Sequence, residues 1–246
     1  MHQGFSPSDH PPLSISRLIP ADLRQTSRLH RSLLPNGFLP QLGNTFVRRW
    51  HRTFIDSSHG AAFVAKDKQG QIQGFVLAST DQARYTAEVL SHNRMALAWR
   101  GVLGLAVRPR LAVRFLRSRA RHYLRHIQRP STVIPARSPT TEQSRQASSP
   151  YPGGPETALP APTPVVGVIH AVVTVPSCRG HGVGRALLAA YDQELIALQT
   201  PLVQLVTSEA GNAGAFYDRL GYRQTDRRFD RDGMPIIQFD HIPGER

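Results

Sequence analysis

The sequence predicts a mixed α/β fold built in two halves, with a basic helical insertion and a linker between them. Strand and helix patterns alternate up to about residue 82, disappear over residues 83–164, and return with a β-branched run at residues 165–175. With 246 residues and 40% apolar composition, the chain can bury a sizeable core. We divide it into a flexible N-terminus (1–12), an N-terminal half (13–82), the insertion (83–128), a disordered linker (129–164) and a C-terminal half (165–246).

The N-terminal half is predicted to run β-α-α-β-β. Leu13–Leu18 alternates apolar and polar residues, as a strand does, and a helix over Asp22–Leu33 ends before Pro35. Two apolar runs around a polar turn at Gly70 predict a hairpin. The second helix is predicted from apolar residues at helical spacing, namely Leu42, Phe46, Trp50 and Phe54.

The insertion is predicted to contain a basic amphipathic helix, because arginines between Arg110 and Arg125 share one helical stripe and apolar residues occupy the next. Three interpretations stay open: a cap over the sheet, a lid that binds an anionic substrate, or a segment that binds an anionic membrane surface. Few aromatic residues and no binding motif argue against nucleic acid. The Pro-, Ser- and Gly-rich residues 129–164 predict a disordered linker.

The C-terminal half begins with Val165–Val175, a β-branched run typical of a central strand. A helix over Gly182–Leu198 follows, and then a strand over Leu202–Thr207. A shorter helix near Asn212–Tyr222 leads to two strands around an Asp-Gly turn at residues 232–233.

Charge and cysteine content restrict the function. The formal net charge is +13, which favours an anionic partner, although almost all of this charge is arginine. The single cysteine, Cys178, excludes an internal disulfide and a cysteine-based zinc site, and we expect no metal. No apolar segment typical of a secretory signal is visible, and arginines interrupt the most apolar stretch of the insertion. We therefore expect a cytoplasmic protein.

The segment Arg179–Gly184 reads Arg-Gly-His-Gly-Val-Gly between a predicted strand and a predicted helix. Glycines leave backbone N–H groups accessible, and the start of a helix carries positive potential, so the segment suits a diphosphate. Its spacing differs from the Gly-x-Gly-x-x-Gly of dinucleotide folds, and no Lys-Ser/Thr follows as in a P-loop. Tight packing without a ligand is the alternative interpretation.

Two stretches resemble one known family. "VTVPSCRGHGVGRALL" resembles the acetyl-CoA-binding motif of the GNAT N-acetyltransferase superfamily, and "NAGAFYDRLGY" is similar to the helix that follows it in that family. The resemblance covers Leu13–Thr80 and Val165–His241. It implies a GNAT-type mixed, mostly antiparallel central sheet flanked by helices, in a bacterial acyltransferase that uses acetyl-CoA as co-substrate.

The resemblance also implies a set of binding residues. The diphosphate of acetyl-CoA would lie on the backbone of the loop, the pantetheine would pair like an extra strand with the central strand where the sheet splays open, and Asn212 and Tyr217 would line the thioester end. The implied loop residues are Arg179, Gly180, His181, Gly182, Val183 and Gly184, and the implied strand residues are Val172, Val173 and Thr174.

The implied reaction is direct transfer of an acetyl group to a primary amine in a ternary complex. An alkylamine with a pKa of about 10.4 is mostly protonated at neutral pH, so a base or a water chain is expected. Tyr217 is the expected acid for the CoA sulfur, or else a packed aromatic. His170 is the base that the central strand offers, or else a hydrogen-bonded core histidine. Glu209 and His30 are weaker candidates for the base.

The acceptor stays open, with an amino sugar or another anionic small molecule favoured. Cys178 is expected to be a packing residue rather than a nucleophile, because no partner base is evident. Two other functions are alternatives to catalysis. One is a non-catalytic acyl-CoA-binding module, and the other is a membrane-surface adaptor that uses the insertion.

Overall fold

The structure is a computed structural model that describes residues 13–35, 37–91, 164–230 and 233–245. The N-terminal half contains β1 (Ser14–Arg17), α1 (Leu23–Leu33), α2 (Phe38–Gln41), α3 (Asn44–Asp56), β2 (Gly60–Lys66), β3 (Ile72–Ser79) and α4, the helical residues 82–91. The C-terminal half contains β4 (Val166–Thr174), α5 (Val183–Ala197), β5 (Leu202–Ser208), α6 (Ala213–Asp218), β6 (Arg223–Phe229) and β7 (Pro235–His241).

The strands form a seven-stranded sheet in the order β1-β2-β3-β4-β5-β7-β6. Every pairing is antiparallel except that of β4 with β5, which is parallel. The predicted mixed, mostly antiparallel sheet with flanking helices is therefore confirmed. Residues 83–91 of the insertion are helical, and its predicted amphipathic helix and residues 129–163 of the predicted linker lie outside the described residues.

The sheet separates two apolar clusters, because alternate residues of β2 and β3 point to opposite faces. On one face, α1 and α3 cover Phe75 and Val173, and we call this the α1/α3 face. On the other face, α5 buries Leu187 and Tyr191 against the strands, and we call this the α5 face. Tyr191 Oη also donates a hydrogen bond to the Ser79 carbonyl at 2.7 Å.

A β-bulge interrupts β4 at His170. The β3 register passes from Leu77 opposite Ala171 to Ala78 opposite Ile169, so His170 is the extra residue. Because of the bulge, the His170 side chain joins Phe54 on the α1/α3 face, beside Ala171 of the same cluster.

The parallel pairing of β4 with β5 is short. It joins Val166–Ile169 to Leu202–Leu205, which is four residue pairs. Beyond this point β4 continues to Thr174 and stays paired with β3, while β5 continues to Ser208 and stays paired with β7. The two strands therefore part, and we call the space between residues 171–174 and 206–208 the sheet gap.

Candidate active site

Unpaired backbone groups of β4 face the sheet gap. The Val175 N–H donates to the carbonyl of Gln73 in β3 at 2.9 Å, which makes residue 175 part of a hydrogen-bonded antiparallel pair. Such pairs alternate along an antiparallel ladder, so Val173 also bonds to β3, whereas the peptide groups of Val172 and Thr174 point to the other edge. This edge can accept an extended ligand as an added strand.

The glycine loop lies at the end of the same strand. Gly180 and Gly182 have φ angles of 79° and 78°, and no atom would lie within 4 Å of a Cβ at either position. Both glycines are therefore required by backbone conformation rather than by packing. The Arg179 side chain donates from Nε to the Thr174 carbonyl at 3.4 Å, which ties the loop to the rim of the sheet gap.

The loop leads into the N-terminus of α5. The first helical hydrogen bond runs from the Ala186 N–H to the Gly182 carbonyl, and no side chain caps this end. Among the described residues, the N–H groups of Val183, Gly184 and Arg185 have no recorded acceptor. Three backbone donors at the positive end of a 15-residue helix suit a phosphate or diphosphate.

Gly184 differs from the other two loop glycines. A Cβ at this position would lie 2.9 Å from Cζ of Phe216, so the absence of a side chain lets α5 pack against α6. Packing against Phe216 therefore explains why residue 184 is a glycine, whether or not its N–H also binds a ligand. His181 of the loop is exposed, and the Val183 side chain is buried in the core.

Tyr217 lies on the α5 face, near the other side of the sheet gap. Its ring centroid is 5.8 Å from that of Phe239, which pairs with Leu205, the last β5 residue that also pairs with β4. Burial raises the pKa of Tyr217 to about 12, so the hydroxyl keeps its proton at neutral pH. Asn212 begins the same helix, is exposed, and makes no capping hydrogen bond with its side chain.

His170, the bulged residue of β4, lies among aromatic rings. Its centroid is 5.1 Å from Phe54 and 5.6 Å from Tyr85. Nε2 lies 3.0 Å from Oε1 of Gln82, an atom that can only accept, so Nε2 carries the proton and Nδ1 is unprotonated. Burial lowers the pKa of His170 to about 4, so the ring is neutral at physiological pH.

The weaker candidates fall in different places. Glu209 is held in an ion pair with Arg227. Cys178 is half-buried, and its Sγ lies 3.4 Å from the side-chain oxygen of Gln73. His30 is buried on the α1/α3 face and hydrogen-bonded to His51, a residue that sequence reasoning missed. Both histidines lie on the inward-facing stripe of an amphipathic helix. This helical spacing is the sequence signal that could have identified them.

An open cavity of about 640 Å³ lies between the start of α1 and the outer side of α3. Four arginines line it, Arg24, Arg48, Arg49 and Arg52, and no acidic residue does. Arg52 is paired with Asp56 at 2.7 Å, and Arg24 and Arg48 are exposed. The cavity is thus a concentration of positive charge on the N-terminal half.

Two kinds of feature are absent from the described residues. They contain no cluster of three or more histidine, cysteine or acidic side chains arranged to hold a metal ion. Within the same residues, no helix is both long and apolar enough to cross a membrane.

Comparison with known proteins places these features in a family. Residues 163–241, which include the β4 edge, the glycine loop and Tyr217, match the family model of the acetyltransferase (GNAT) domain. No curated protein matches the chain in sequence.

Solved structures with the same fold include several acetyltransferases. Ard1 from Thermoplasma volcanium is 13% identical, with 95% of this chain and 99% of that chain covered and a TM-score of 0.53. NAA60 from Arabidopsis thaliana, in complex with acetyl-CoA, is 12% identical, with 94% and 98% covered and a TM-score of 0.52. An N-acetyltransferase from Staphylococcus aureus Mu50 is 10% identical, with 94% and 98% covered and a TM-score of 0.53.

At these identities the likeness to solved structures shows the fold, and the family model adds the identity of the C-terminal half. The resemblance seen in the sequence is confirmed. The chain therefore has the fold of GNAT N-acetyltransferases, and its residues 163–241 match the acetyltransferase (GNAT) domain.

Proposed function

We propose that this chain transfers an acetyl group from acetyl-CoA to a primary amine by direct attack in a ternary complex. The observation that carries the proposal is the sheet gap between β4 and β5, with the glycine loop and the uncapped start of α5 at its rim. An extended molecule with a diphosphate at one end fits an open strand edge that leads into free backbone donors.

In this proposal, residues Arg179–Gly184 bind the diphosphate. The N–H groups of Val183 and Gly184 are the donors best supported by the helix geometry. The pantetheine lies along β4 and pairs with the outward peptide groups of Val172 and Thr174, while Val173 stays bonded to β3.

The proposed chemistry uses Tyr217 and His170. The amine nitrogen attacks the thioester carbon, and an outward N–H of β4 stabilises the developing oxyanion. His170, neutral and with an unprotonated Nδ1, takes the proton that leaves the nitrogen, directly or through water. Tyr217, which keeps its proton at neutral pH, donates it to the sulfur as the carbon–sulfur bond breaks.

We propose an acceptor that carries negative charge beside its amine, as a phosphorylated amino sugar does. The four-arginine cavity supports this class, because guanidinium groups favour an anion and can bind phosphate in bidentate geometry. Asn212, at the start of α6, is proposed to line the thioester end.

The test is isothermal titration of acetyl-CoA into the wild type and two variants, Gly182→Asp and Gly182→Asn. Gly182 has a φ angle of 78°, a region that Asn and Asp tolerate better than other side chains, and both fit the open space there. Only Asp adds a negative charge. We expect affinity to fall at least about fivefold further in Gly182→Asp, since like charges about 4 Å apart repel by about 1 to 4 kcal/mol.

Equal affinity in the two variants would contradict diphosphate binding at the loop. Release of free CoA thiol in the presence of an amine then separates an enzyme from a non-catalytic acyl-CoA-binding module. Tight binding of acetyl-CoA with no thiol release for any of a panel of amines would favour the module.

A further inference from the structure

Three buried side chains form a hydrogen-bonded chain between α1 and α3. Thr26 Oγ1 lies 3.0 Å from His51 Nδ1, and His51 Nε2 lies 3.1 Å from His30 Nδ1. Thr26 and His51 are fully buried, and His30 is 4% exposed. The chemistry proposed above uses none of these groups, and burying two imidazoles in an apolar cluster is unfavourable unless their nitrogens are satisfied.

The direction of the chain is fixed at its inner end. The Thr26 hydroxyl donates its only hydrogen to the Asp22 carbonyl at 3.2 Å, so towards His51 its oxygen can only accept. With the Thr26 hydrogen on the Asp22 carbonyl, the proton of His51 is on Nδ1. Burial lowers the pKa of both imidazoles, that of His30 to about 4, so each ring carries one proton at neutral pH.

At the outer end of the chain, the protonation of His30 follows from that of His51. Because Nδ1 of His51 carries its proton, Nε2 of His51 is an acceptor, and Nδ1 of His30 must donate to it. Nε2 of His30 is then unprotonated. No partner for this atom occurs among the described residues, and the atom is not fully enclosed. The chain thus ends in a lone pair that has no partner among the described residues.

The His30 ring lies on the α1/α3 face, over β3. The His30 ring stacks on Phe75 with centroids 5.9 Å apart, and Phe75 pairs with Val173 on β4. Trp50 stands at 5.3 Å from His30 and at 6.4 Å from His170, so its indole lies between the two imidazoles. His30 therefore packs on β3, the strand that pairs with β4, and the outward peptide groups of β4 face the sheet gap.

We propose that His30 Nε2 accepts a hydrogen bond from the acceptor amine, and that Thr26, acting through His51, keeps this nitrogen unprotonated. The inference rests on the proposed function, since it assigns the amine's position in that reaction. His30 touches the substrate, whereas His51 and Thr26 are positioning residues.

The arrangement selects the reactive form of the amine. A neutral amine that donates one N–H to His30 keeps its own lone pair for the thioester carbon. The opposite tautomer would present an N–H to the amine and would use that lone pair in a hydrogen bond. Acting through the two imidazole rings, the buried Thr26 hydroxyl thus determines whether the site binds the amine with its lone pair free.

The test compares Thr26→Val with Thr26→Ser in the full-length protein. Serine keeps the hydroxyl, and valine has a similar shape without it. Without an acceptor at residue 26, a proton on His51 Nδ1 would be an orphaned donor, so we expect His51 and His30 both to carry their protons on Nε2. Nitrogen-15 NMR of the imidazole rings reads both tautomers directly, without any substrate.

The kinetic arm measures CoA thiol release with glucosamine 6-phosphate, 1,4-diaminobutane and a tripeptide with a free amino terminus. In Thr26→Val we expect the KM for the amine that reacts best to rise about tenfold, with acetyl-CoA affinity unchanged. Thr26→Ser should restore both the tautomer and the KM.

Different results would contradict the different parts of this proposal. An Nε2–H proton on His30 in the wild type, or the same tautomers in Thr26→Val and Thr26→Ser, would refute the positioning role. A flipped tautomer without a rise in KM would refute amine binding at His30. If the wild type binds acetyl-CoA but releases no thiol with any of the three amines, the proposed function fails first, and the assignment of an amine to His30 fails with it.

Discussion

The two faces of the sheet carry polar groups of different kinds. On the α5 face and along the β4 edge, the groups available to a ligand are backbone N–H and C=O groups of the glycine loop, α5 and β4. On the α1/α3 face, they are buried side chains, the chain from Thr26 to His30 and the bulged His170. A backbone site depends on local conformation, whereas a side-chain site depends on how helices pack.

Because of this difference, the two sites should be sensitive to different kinds of substitution. At the loop, substitutions of Gly180 and Gly182 should act through charge or φ angle, and a substitution of Gly184 should act through its contact with Phe216. On the α1/α3 face, removal of one hydroxyl or one ring nitrogen should affect its neighbours, because each polar group satisfies another. The predictions below test this contrast, beginning with the largest expected effect.

Tyr217→Phe tests the one side chain that the α5 face is proposed to contribute to chemistry. Loss of a general acid should lower kcat about 100-fold and leave acetyl-CoA affinity nearly unchanged. Tyr222→Phe is the matched control, since Tyr222 is a buried tyrosine that stacks on His241. The measurement is thiol release at saturating amine. Equal kcat values in the two variants would make Tyr217 a packing residue.

The stability of the α1/α3 face should depend on pH. Burial lowers the pKa of His30 to about 4 and that of His51 well below 6.5, whereas unfolded imidazoles titrate near 6.5. Below pH 6.5 the unfolded chain therefore binds protons that the folded chain does not, and the free energy of unfolding falls as the pH falls. His30 alone accounts for a loss of about 2 kcal/mol at pH 5.

The full contribution of His30 is present above pH 6.5 and is lost progressively towards pH 4. Urea denaturation at pH 5, 6 and 7 measures it. His30→Gln removes the titrating ring, so its free energy of unfolding should vary less over this range than that of the wild type. Parallel curves for the two proteins would mean that His30 is not held neutral.

Gly184→Ala separates packing from ligand binding at the loop. The added methyl group would meet the Phe216 ring at 2.9 Å, and we expect a loss of about 1 to 2 kcal/mol in the free energy of unfolding without any ligand. Gly214→Ala is the control, because its Cβ would meet Phe239 at an ordinary 3.6 Å inside α6. There we expect a gain of about 0.5 to 1 kcal/mol from helix propensity. Denaturation of the apo-protein decides the sign of each.

Cys178→Ala should have the smallest effect. The thiol is half-buried beside Gln73, and direct transfer in a ternary complex does not use it. We expect kcat/KM to stay within about twofold of the wild-type value, because a conservative change outside the reacting groups costs little. A fall of several orders of magnitude, together with an acetylated protein in mass spectrometry, would favour a covalent intermediate.

The sequence predicted most of the strands and helices and the glycine loop, because these depend on local patterns. Glycines after a β-branched run and before an apolar helix indicate a turn whatever surrounds them. The short helix α2 was not predicted, and its four residues carry no periodicity to detect. Tight packing was an alternative for the whole loop, but the sequence could not assign it to Gly184, because the contact with Phe216 depends on the packing of α5 against α6.

The α1/α3 site was harder to predict for a physical reason. The bulge at His170 exists only in the register of β3 with β4. The chain from Thr26 to His30 requires α1 and α3 to pack so that His51 lies between them. Helical spacing shows that these residues face inward, but it does not show which of them meet.

The four residue pairs that join β4 to β5 have a mechanical consequence. Strands β1–β4 and strands β5–β7 form two subsheets that are joined only by this short pairing. The pairing ends where the substrate is proposed to enter. An extended molecule hydrogen-bonded to the outer edge of β4 would extend this pairing and restrict the motion of the two subsheets relative to each other. The substrate would then complete the sheet, and the amide hydrogens of β4 beyond residue 170 would exchange more slowly while it is bound.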